Sequence, residues 1–324
     1  MTAAAPPPVP LAERAATLRR LGWTGREAEW LALVCLHSGV FTRRQYAARY
    51  GLSKQTASRF AIALLEAGIA REEPIPDRRC PETLCHLYRR RLYRTLGIEN
   101  NRHRRSGTAE LVMRRLLSLD YVLDHDDLDW LPTEPEKVAY FRSLGVPGAA
   151  LPRREYRGPF SNRTTRRYFA FKLPVAGNGD TTTFVYAEPG GRQRLQRERI
   201  RAWAEAHGAL WQALRDRGSA VRVAAVTRTG ADAAANAAVL ETWRGAPAPT
   251  APLSSADRQL LDAVERADST GDLSPLDPYG GPIQAAKAAR LIQDRLKADR
   301  QAGGLIDGYS TNVAERLAPD PLAL

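Results

Sequence analysis

The sequence predicts an α+β protein in which a helical N-terminal part precedes a small α/β domain. Apolar residues between residues 28 and 36 are spaced as in an amphipathic core helix. From residue 153 onwards strand-like runs alternate with helical ones, which is typical of an α/β domain. Between residues 120 and 136 the chain has seven acidic residues and no Lys or Arg, and this marks a compositional break.

Length and charge limit the class of partner. At 324 residues the chain is long enough for two domains, each with its own core. The formal net charge of +12 and the pI of about 10.0 favour a polyanionic partner. Of the 48 basic residues 43 are Arg, whose planar guanidinium suits phosphate and guanine. Codon usage in a GC-rich genome also explains an Arg bias, but it does not explain the net charge.

The sequence has no pattern of a secreted or membrane protein. Its three cysteines, Cys35, Cys80 and Cys85, do not suggest a disulfide framework, so we expect a reducing cytoplasm. No apolar run approaches the ~20 residues of a membrane span, so we expect no membrane partner. Residues 1–10 are rich in Ala and Pro, and we expect a flexible tail there.

The N-terminal helices are predicted from their first and last residues. Residues 11–21 form a short leading helix, and Thr24 with Glu27 has the spacing of a capping box for the next one. A later helix ends at Gly51, which takes a positive φ in a tight turn without a Cβ clash. Ser53 then suits the N-cap of the following helix because its hydroxyl accepts an early backbone N–H.

A hairpin follows these helices. A strand begins at residue 69, residues 74–81 form a loop, and residues 84–97 form a returning strand that runs into a short turn or helix. The Arg run at residues 89–91 is expected to alternate between the two sides of that strand. Helix, turn, helix and hairpin make a winged helix-turn-helix arrangement, and we assign residues 11–107 to a DNA-binding domain.

The helix after Ser53 carries side chains that suit base edges and phosphates in a major groove. The predicted base-reading residues are Lys54, Gln55, Thr56, Ser58 and Arg59. Phosphate contacts, which supply salt-dependent affinity, are expected from basic residues nearby. These are Arg43, Arg44, Arg71, Arg89, Arg90 and Arg91. The alternative is a winged helix used only for protein contact or dimerisation.

The rest of the chain is predicted in three segments. They are a helical connector with the acidic stretch at 108–152, a small α/β domain at 153–245, and a linker with C-terminal helices and a tail at 246–324. The predicted elements are helices at 108–124 and from Thr133, a hairpin of strands at 168–174 and 181–188, a helix at 192–217, a strand at 220–226, and helices at 231–243, 255–267 and 282–300. The tail after residue 300 is weakly patterned.

Arginines and aromatic residues are interleaved between residues 153 and 169. This pattern suits a second nucleic-acid surface on which bases stack. We prefer the alternative of a solvated strand edge whose aromatic residues belong to the core.

A metal-dependent nuclease site on such a domain needs an acid on one strand, and an acid followed two residues later by Lys on the next. Glu188 ends a strand, but Pro189 and Gly190 follow it and the Lys is missing. Glu155 and Asp180 are poorly placed as the first acid. We therefore predict no catalytic residue, and we interpret Glu188 as a remnant or a strand-end cap.

Soft metal ligands occur close together at Cys80, Cys85 and His86, with His103 as the nearest further candidate. Zn²⁺ needs four ligands, and this set is incomplete, so we predict no metal and no cofactor. His207 shares a helix face with Trp203 and is predicted to be a packed core histidine.

Several strings resemble the replication-relaxation family. They are Leu64-Leu-Glu-Ala-Gly-Ile69, Leu92-Tyr-Arg-Thr-Leu-Gly97, Phe184-Val-Tyr-Ala-Glu-Pro-Gly190 and Val221-Arg-Val-Ala-Ala-Val-Thr227. The resemblance covers residues 20–245 and rests on order and spacing. It implies DNA binding through residues 53–59, a C-terminal half resembling a degenerate restriction-endonuclease-like fold, and a role on plasmids or integrative mobile elements. The family usually has Glu-x-Asp where this chain has Glu188-Pro-Gly, and often Pro-Asp where it has Gly158-Pro-Phe; both departures argue against a nuclease.

We therefore expect a cytoplasmic, sequence-specific protein that binds double-stranded DNA and forms a homodimer through its α/β half. It would act in replication, transfer or transcription control of a mobile element, with other mobile-element or replication proteins as further partners. One alternative is a metal-dependent nuclease or nickase that uses the α/β domain. The other is an adaptor whose winged helix binds protein.

Overall fold

The structure, a computed structural model, describes residues 9–75, 82–158, 161–170, 172–190, 193–244, 254–302 and 304–317. Helices and strands are mixed, so the α+β class is confirmed. The chain divides into two compact units, of which the larger is Met1–Leu240 together with Gly308–Leu324 and the smaller is Glu241–Asp307.

The secondary structure is as follows. The helices are α1 (Leu11–Thr17), α2 (Gly25–His37), α3 (Arg43–Tyr50), α4 (Lys54–Glu66), α5 (Arg90–Thr95), α6 (Ala109–Asp124), α7 (Glu134–Ser143), α8 (Gln193–Arg215), α9 (Gly230–Glu241), α10 (Ser255–Thr270) and α11 (Pro282–Ala302). The strands are β1 (Val40–Thr42), β2 (Ala70–Pro74), β3 (Thr83–Leu87), β4 (Arg153–Gly158), β5 (Ser161–Tyr168), β6 (Val175–Gly177), β7 (Thr181–Ala187), β8 (Ala220–Thr227) and β9 (Gly308–Val313). In the described part of the chain, no helix combines the length and the apolar composition that crossing a membrane requires.

The first part of the larger unit combines α2, α3 and α4 with an antiparallel sheet. The strand order is β1-β3-β2, so the returning strand β3 lies in the middle. Aromatic rings fill the core: Tyr46 stacks on Phe60 with 4.3 Å between ring centroids, and Trp30 meets Phe41 edge-on at 5.4 Å. All four side chains are buried, and Phe60 thereby fixes one side of α4 to the core.

The turn between α3 and α4 confirms the residue types predicted for it. Gly51 follows α3 with a φ of +61°, a conformation that glycine adopts most easily. Ser53 Oγ accepts a hydrogen bond from the Thr56 N–H at 3.2 Å, which caps α4.

The capping box predicted for α2 is wrong. Thr24 precedes the helix, but its side chain accepts no capping hydrogen bond. The first helical residue, Gly25, has a left-handed φ of +54°, which distorts the first turn. A capping box occurs instead at α3, where the Thr42 and Gln45 side chains each accept the other's backbone N–H.

The returning strand ends earlier than predicted. β3 stops at Leu87, and the Arg run at 89–91 leads into α5 instead of alternating across a strand. That prediction is wrong because Leu92, Tyr93 and Leu96 have helical spacing, and all three are buried. The Tyr93 hydroxyl donates to the Leu87 carbonyl at 2.9 Å and holds α5 against the end of the strand.

Helix α6 joins the two parts of the larger unit. It packs against α2 and β1, and also against β7 and β8, and most of its residues are buried. Gln45 of α3 donates to the Leu116 carbonyl and to the Asp120 carboxylate, both at 3.1 Å. The position of α3 is therefore tied to α6.

Four of the seven acidic residues in the stretch at 120–136 form ion pairs within the chain. The ion pairs are Arg316 with Asp120 and Asp124, Arg49 with Asp126, and Arg14 with Glu136. These carboxylates therefore bind cations from distant segments of the same chain.

A four-stranded sheet with the order β6-β7-β8-β9 forms the second part of the larger unit. β6 is antiparallel to β7, whereas β7, β8 and β9 are parallel. The predicted helix at 192–217 and strand at 220–226 are confirmed as α8 and β8. The strand predicted at 168–174 is wrong because Phe169 and Lys172 have positive φ values, which break the extended backbone before β6.

The smaller unit has its own core. Helices α10 and α11 pack with the 3₁₀ turn Ser274–Tyr279 around Leu260, Leu276 and Ile292. The helices predicted at 255–267 and 282–300 are thus confirmed.

Candidate nucleic-acid interface

Helix α4 presents a polar face to solvent. Lys54, Gln55 and Arg59 are exposed, and Ser58 is half-buried. The buried residues of the opposite face are Ala57, Phe60, Ala61 and Leu64. The helix is therefore held by its apolar side, and most of the predicted base-reading residues lie on the accessible one.

Two residues of α4 refine this face. Thr56 is half-buried and its hydroxyl lies 3.0 Å from Ser53 Oγ, so the N-cap uses part of its hydrogen-bonding capacity. Ile62 was not predicted as a surface residue, yet its side chain is 47% exposed three positions after Arg59. An exposed apolar group beside polar ones suits contact with a thymine methyl. Sequence reasoning missed it because residues 60–65 read as a uniform apolar run.

The six predicted phosphate-binding arginines fall into two classes. Three form ion pairs, which are Arg43 with Glu72, Arg71 with Glu73, and Arg90 with Glu99. The other three, Arg44, Arg89 and Arg91, are exposed and have no ion pair with any described residue. A guanidinium without an internal partner loses no ion pair when it binds a phosphate, so the second class is better suited to that role.

Arg19 and Arg20 extend the basic surface and were not predicted. Both are exposed in the 3₁₀ turn Leu18–Leu21, which packs against α5. The Trp23 ring, just after that turn, meets Phe60 of α4 edge-on at 6.1 Å. The segment therefore contacts α4 and α5, two of the three helices that carry predicted DNA-binding residues. The only signal in the sequence is a pair of adjacent arginines, far along the chain from residues 54–59.

Strands β4 and β5 pair with each other and with no other described strand. Residues 153–156 are exposed in succession, so both faces of this ribbon are open to solvent. Arg166 pairs with Glu155 across the ribbon at 2.8 Å. The prediction of core aromatic residues holds for Phe169 at the base, which is buried, but is wrong for Tyr156, which is 40% exposed. The ribbon is a second basic surface.

Glu188 lies at the carboxyl end of β7 with no part of its side chain exposed. The Tyr186 hydroxyl donates to Oε2 at 2.8 Å, and the Gly190 N–H donates to Oε1 at 3.2 Å. Arg199 of α8 also donates to Oε1, at 3.3 Å. Burial raises the pKa of Glu188, opposed by the Tyr186 hydrogen bond and by the charges of Arg199 and Arg114. Both carboxylate oxygens are thus occupied by donors of the chain.

The other acids of the hypothetical nuclease site lie elsewhere. Asp180 immediately precedes β7, at the opposite end of the strand from Glu188, and Glu155 lies in the ribbon. Among the described residues no group of three or more His, Cys, Asp or Glu side chains could hold a metal ion. The arrangement around Glu188 suits an anchor at a strand end.

Cys85 and His86, the two described candidates on β3, do not form a zinc site together. Cys80 lies outside the described residues, and Cys85 and His86 are neighbours on β3, so they point to opposite faces. Cys85 belongs to the core, and burial raises its pKa to about 12. The His86 ring nitrogens lie 3.0 Å from the Glu73 carboxylate and 3.2 Å from the His103 carbonyl. Cys85 and His86 therefore have separate structural environments.

Comparison of the chain with models of protein families, with curated proteins and with solved structures gives no match. The resemblance to the replication-relaxation family therefore stays a prediction.

Proposed function

We propose that this protein binds double-stranded DNA sequence-specifically, with α4 as the recognition helix of a winged helix-turn-helix domain. The chain order α2, β1, α3, α4, β2, β3 supports the assignment, because two helices joined by a tight turn precede a β-hairpin. The observation that carries it is the polar face of α4, which is exposed over its first two turns while the opposite face is fixed to an aromatic core.

The side chains on that face suit direct reading of bases. A major groove admits an α-helix, and the N-terminal residues of a recognition helix contact base edges. Gln55 has the amide that pairs with adenine, and Arg59 has the guanidinium that pairs with guanine. The exposed side chain of Ile62 continues the same face towards the C-terminus of the helix.

Phosphate contacts follow from the unpaired arginines. Arg44 lies in the first turn of α3, where a helix-turn-helix crosses the DNA backbone. Arg89 and Arg91 at the start of α5, together with Arg19 and Arg20, supply further cations. The net charge of +12 has the sign that counterion release from DNA requires.

The biological setting rests on the family resemblance alone. We propose a homodimer that acts in replication, transfer or transcription control of a mobile element, with other mobile-element or replication proteins as partners. Sequence-specific proteins of this kind commonly bind two half-sites as dimers, which the α/β half would support.

The test compares Arg59→Ala with Arg201→Ala, a substitution at an exposed arginine of α8. Binding of fluorescent duplexes from the protein's own upstream region and of shuffled duplexes is measured by anisotropy. We expect Arg59→Ala to weaken specific binding by ~1–3 kcal/mol, because one bidentate base contact is lost, and Arg201→Ala to leave it unchanged.

Equal affinity of wild type and Arg59→Ala for both duplexes would remove α4 as the recognition helix. A salt titration separates the adaptor alternative. DNA affinity that falls linearly with the logarithm of salt concentration indicates phosphate contacts, whereas a protein-binding winged helix shows no DNA affinity to titrate.

A further inference from the structure

A cavity of about 140 Å³ lies in the larger unit, and no residue of α4 is among its lining residues. It is bounded by α2, the 3₁₀ turn Arg102–Arg104, α6 and the segment between β5 and β6. Six of its lining residues are basic, namely His37, Arg102, His103, Arg114, Arg115 and Lys172. No described carboxylate lines it.

Arg115 and Lys172 are not neutralised by the groups they contact, whereas Arg114 forms an ion pair with Glu110 at 2.9 Å. The Arg115 guanidinium is buried and donates to the carbonyls of Arg102, His103 and Arg105 at 3.0–3.3 Å. Lys172 Nζ donates to Asn101 Oδ1 at 3.1 Å. These acceptors are neutral, so they satisfy hydrogen bonds without balancing charge. A buried guanidinium close to a half-buried ammonium group, with no described carboxylate lining the cavity, is unfavourable.

The two imidazoles leave hydrogen-bonding capacity open. His103 is 4% exposed, and its Nδ1 is buried without a hydrogen-bond partner. Burial lowers the pKa of His37 to about 3, and the charges of Lys137 and Arg14 add to this effect. Burial, together with the charges of Lys172 and Arg115, also lowers the pKa of His103. Both shifts favour the neutral imidazole, which has one N–H to donate.

The backbone holds Lys172 at the cavity in an uncommon conformation. Its φ is +54°, and Phe169 three residues earlier has a φ of +48°. Residues other than glycine and asparagine rarely adopt this left-handed backbone conformation. Those that do are concentrated at functional sites. Burial and the neighbouring cations Arg115 and Arg102 lower the pKa of Lys172 to about 7, and the Glu134 charge opposes this shift.

We propose that this cavity binds a phosphate group, with Lys172 and Arg102 contacting the oxygens and His103 donating a hydrogen bond. Arg115 adds positive charge from α6, because its contacts are neutral carbonyls. The volume suits one phosphate-sized anion. The group belongs either to a small phosphorylated molecule or to the terminal phosphate of a nucleic-acid strand, and both have the chemistry that these donors recognise. This site is separate from DNA binding by α4.

The first experiment measures binding of sulfate and inorganic phosphate to the full chain by calorimetry, at an ionic strength held constant with NaCl. Lys172→Met is expected to weaken binding at least tenfold and Lys172→Arg to restore most of it. Lys287→Met, at an exposed position of α11, is the matched control and is expected to bind like wild type. Arg102 lies at the exposed edge of the cavity, so Arg102→Ala should fold normally. It is expected to weaken binding, and it keeps the test available if Lys172→Met does not fold.

The second experiment identifies the source of the phosphate. A 5′-phosphorylated single strand, the same strand without the phosphate, and a nucleoside monophosphate compete with sulfate. Competition by the phosphorylated strand alone assigns a nucleic-acid end, and competition by the monophosphate assigns a small molecule. No binding of sulfate or phosphate by wild type, or equal binding by wild type and Arg102→Ala, overturns the proposal. Sulfate binding retained by Arg59→Ala keeps this site distinct from the one on α4.

Discussion

The exposed face of α4 and the site of Glu188 both place polar side chains next to an apolar core. They differ in how much hydrogen-bonding capacity the chain itself leaves unused. Lys54 and Arg59 extend into solvent with no ion pair among the described residues. The Glu188 carboxylate is enclosed and receives hydrogen bonds from Tyr186, Gly190 and Arg199. Residue type alone does not separate a binding group from an anchoring one. Unused hydrogen-bonding capacity does.

The largest expected effect concerns the enclosed carboxylate. Glu188→Ala should lower the free energy of unfolding by about 3 kcal/mol, because it leaves the Tyr186 hydroxyl and the Gly190 N–H without their acceptor, while Arg199 keeps its ion pair with Glu110. Urea denaturation measures this loss. Glu198→Ala, at an exposed residue paired with Arg194, is the control and should change stability by less than about 0.5 kcal/mol. Equal effects of the two substitutions would show that Glu188 is no anchor.

Substitutions of the exposed arginines should change the salt dependence of DNA affinity but not the stability of the fold. Arg44→Ala and Arg91→Ala should each reduce the slope of log affinity against log salt by about 1, because each arginine is expected to neutralise one phosphate. Arg43→Ala should leave the slope nearly unchanged, because Arg43 is paired with Glu72. Anisotropy titrations between low and moderate salt provide the slopes. A larger loss for Arg43→Ala than for Arg44→Ala would reverse our division into paired and unpaired arginines.

A smaller effect is expected in the pH dependence of stability, which tests how far burial raises the pKa of Glu188. Its folded-state pKa is raised by burial, so the contribution of this group to stability is fully present below the unfolded value of about 4.3 and is lost as pH rises through the folded pKa. Glu188→Gln removes this titration. The free energy of unfolding of wild type minus that of Glu188→Gln should therefore decrease as the pH rises above the unfolded pKa of about 4.3. An increase would mean that the charge of Arg199 outweighs burial.

No effect at all is expected in a cleavage assay. Supercoiled plasmid incubated with Mg²⁺ or Mn²⁺ should stay intact with wild type and with Glu188→Gln, because both oxygens of Glu188 are occupied and Asp180 lies at the other end of β7. Cutting by wild type that Glu188→Gln abolishes would favour a nuclease and would contradict our interpretation of the enclosed carboxylate.

Local sequence signals predicted the elements that depend on local physics. Gly51 and Ser53 define the turn before α4 through their own backbone and side-chain preferences, so their roles could be read without a structure. The periodicity of residues 192–217 was equally sufficient for α8. Errors arose where tertiary packing decided, as at residues 89–91, where the burial of Leu92 and Tyr93 favours a helix over a strand.

Contacts between residues far apart in the chain could not be predicted from the sequence. The pairing of Arg43 with Glu72 and of Arg90 with Glu99 depends on the fold, so these arginines could not be separated from Arg44 and Arg91 without a structure. The same holds for the cavity beside Lys172, whose lining residues come from four separate segments. Strand β9 was missed because its register against β8 is set by residues far along the chain.

The points at which the chain enters and leaves the smaller unit indicate which segments of this protein can be deleted or inserted. Trp243 and Ile306 lie side by side, with the Ile306 N–H donating to the Trp243 carbonyl at 3.0 Å, so the intervening residues leave and return at one point. Such a segment can be inserted or removed without changing the path of the remaining chain. A protein truncated after α9, by contrast, would lack β9 and leave β8 as an open edge prone to self-association.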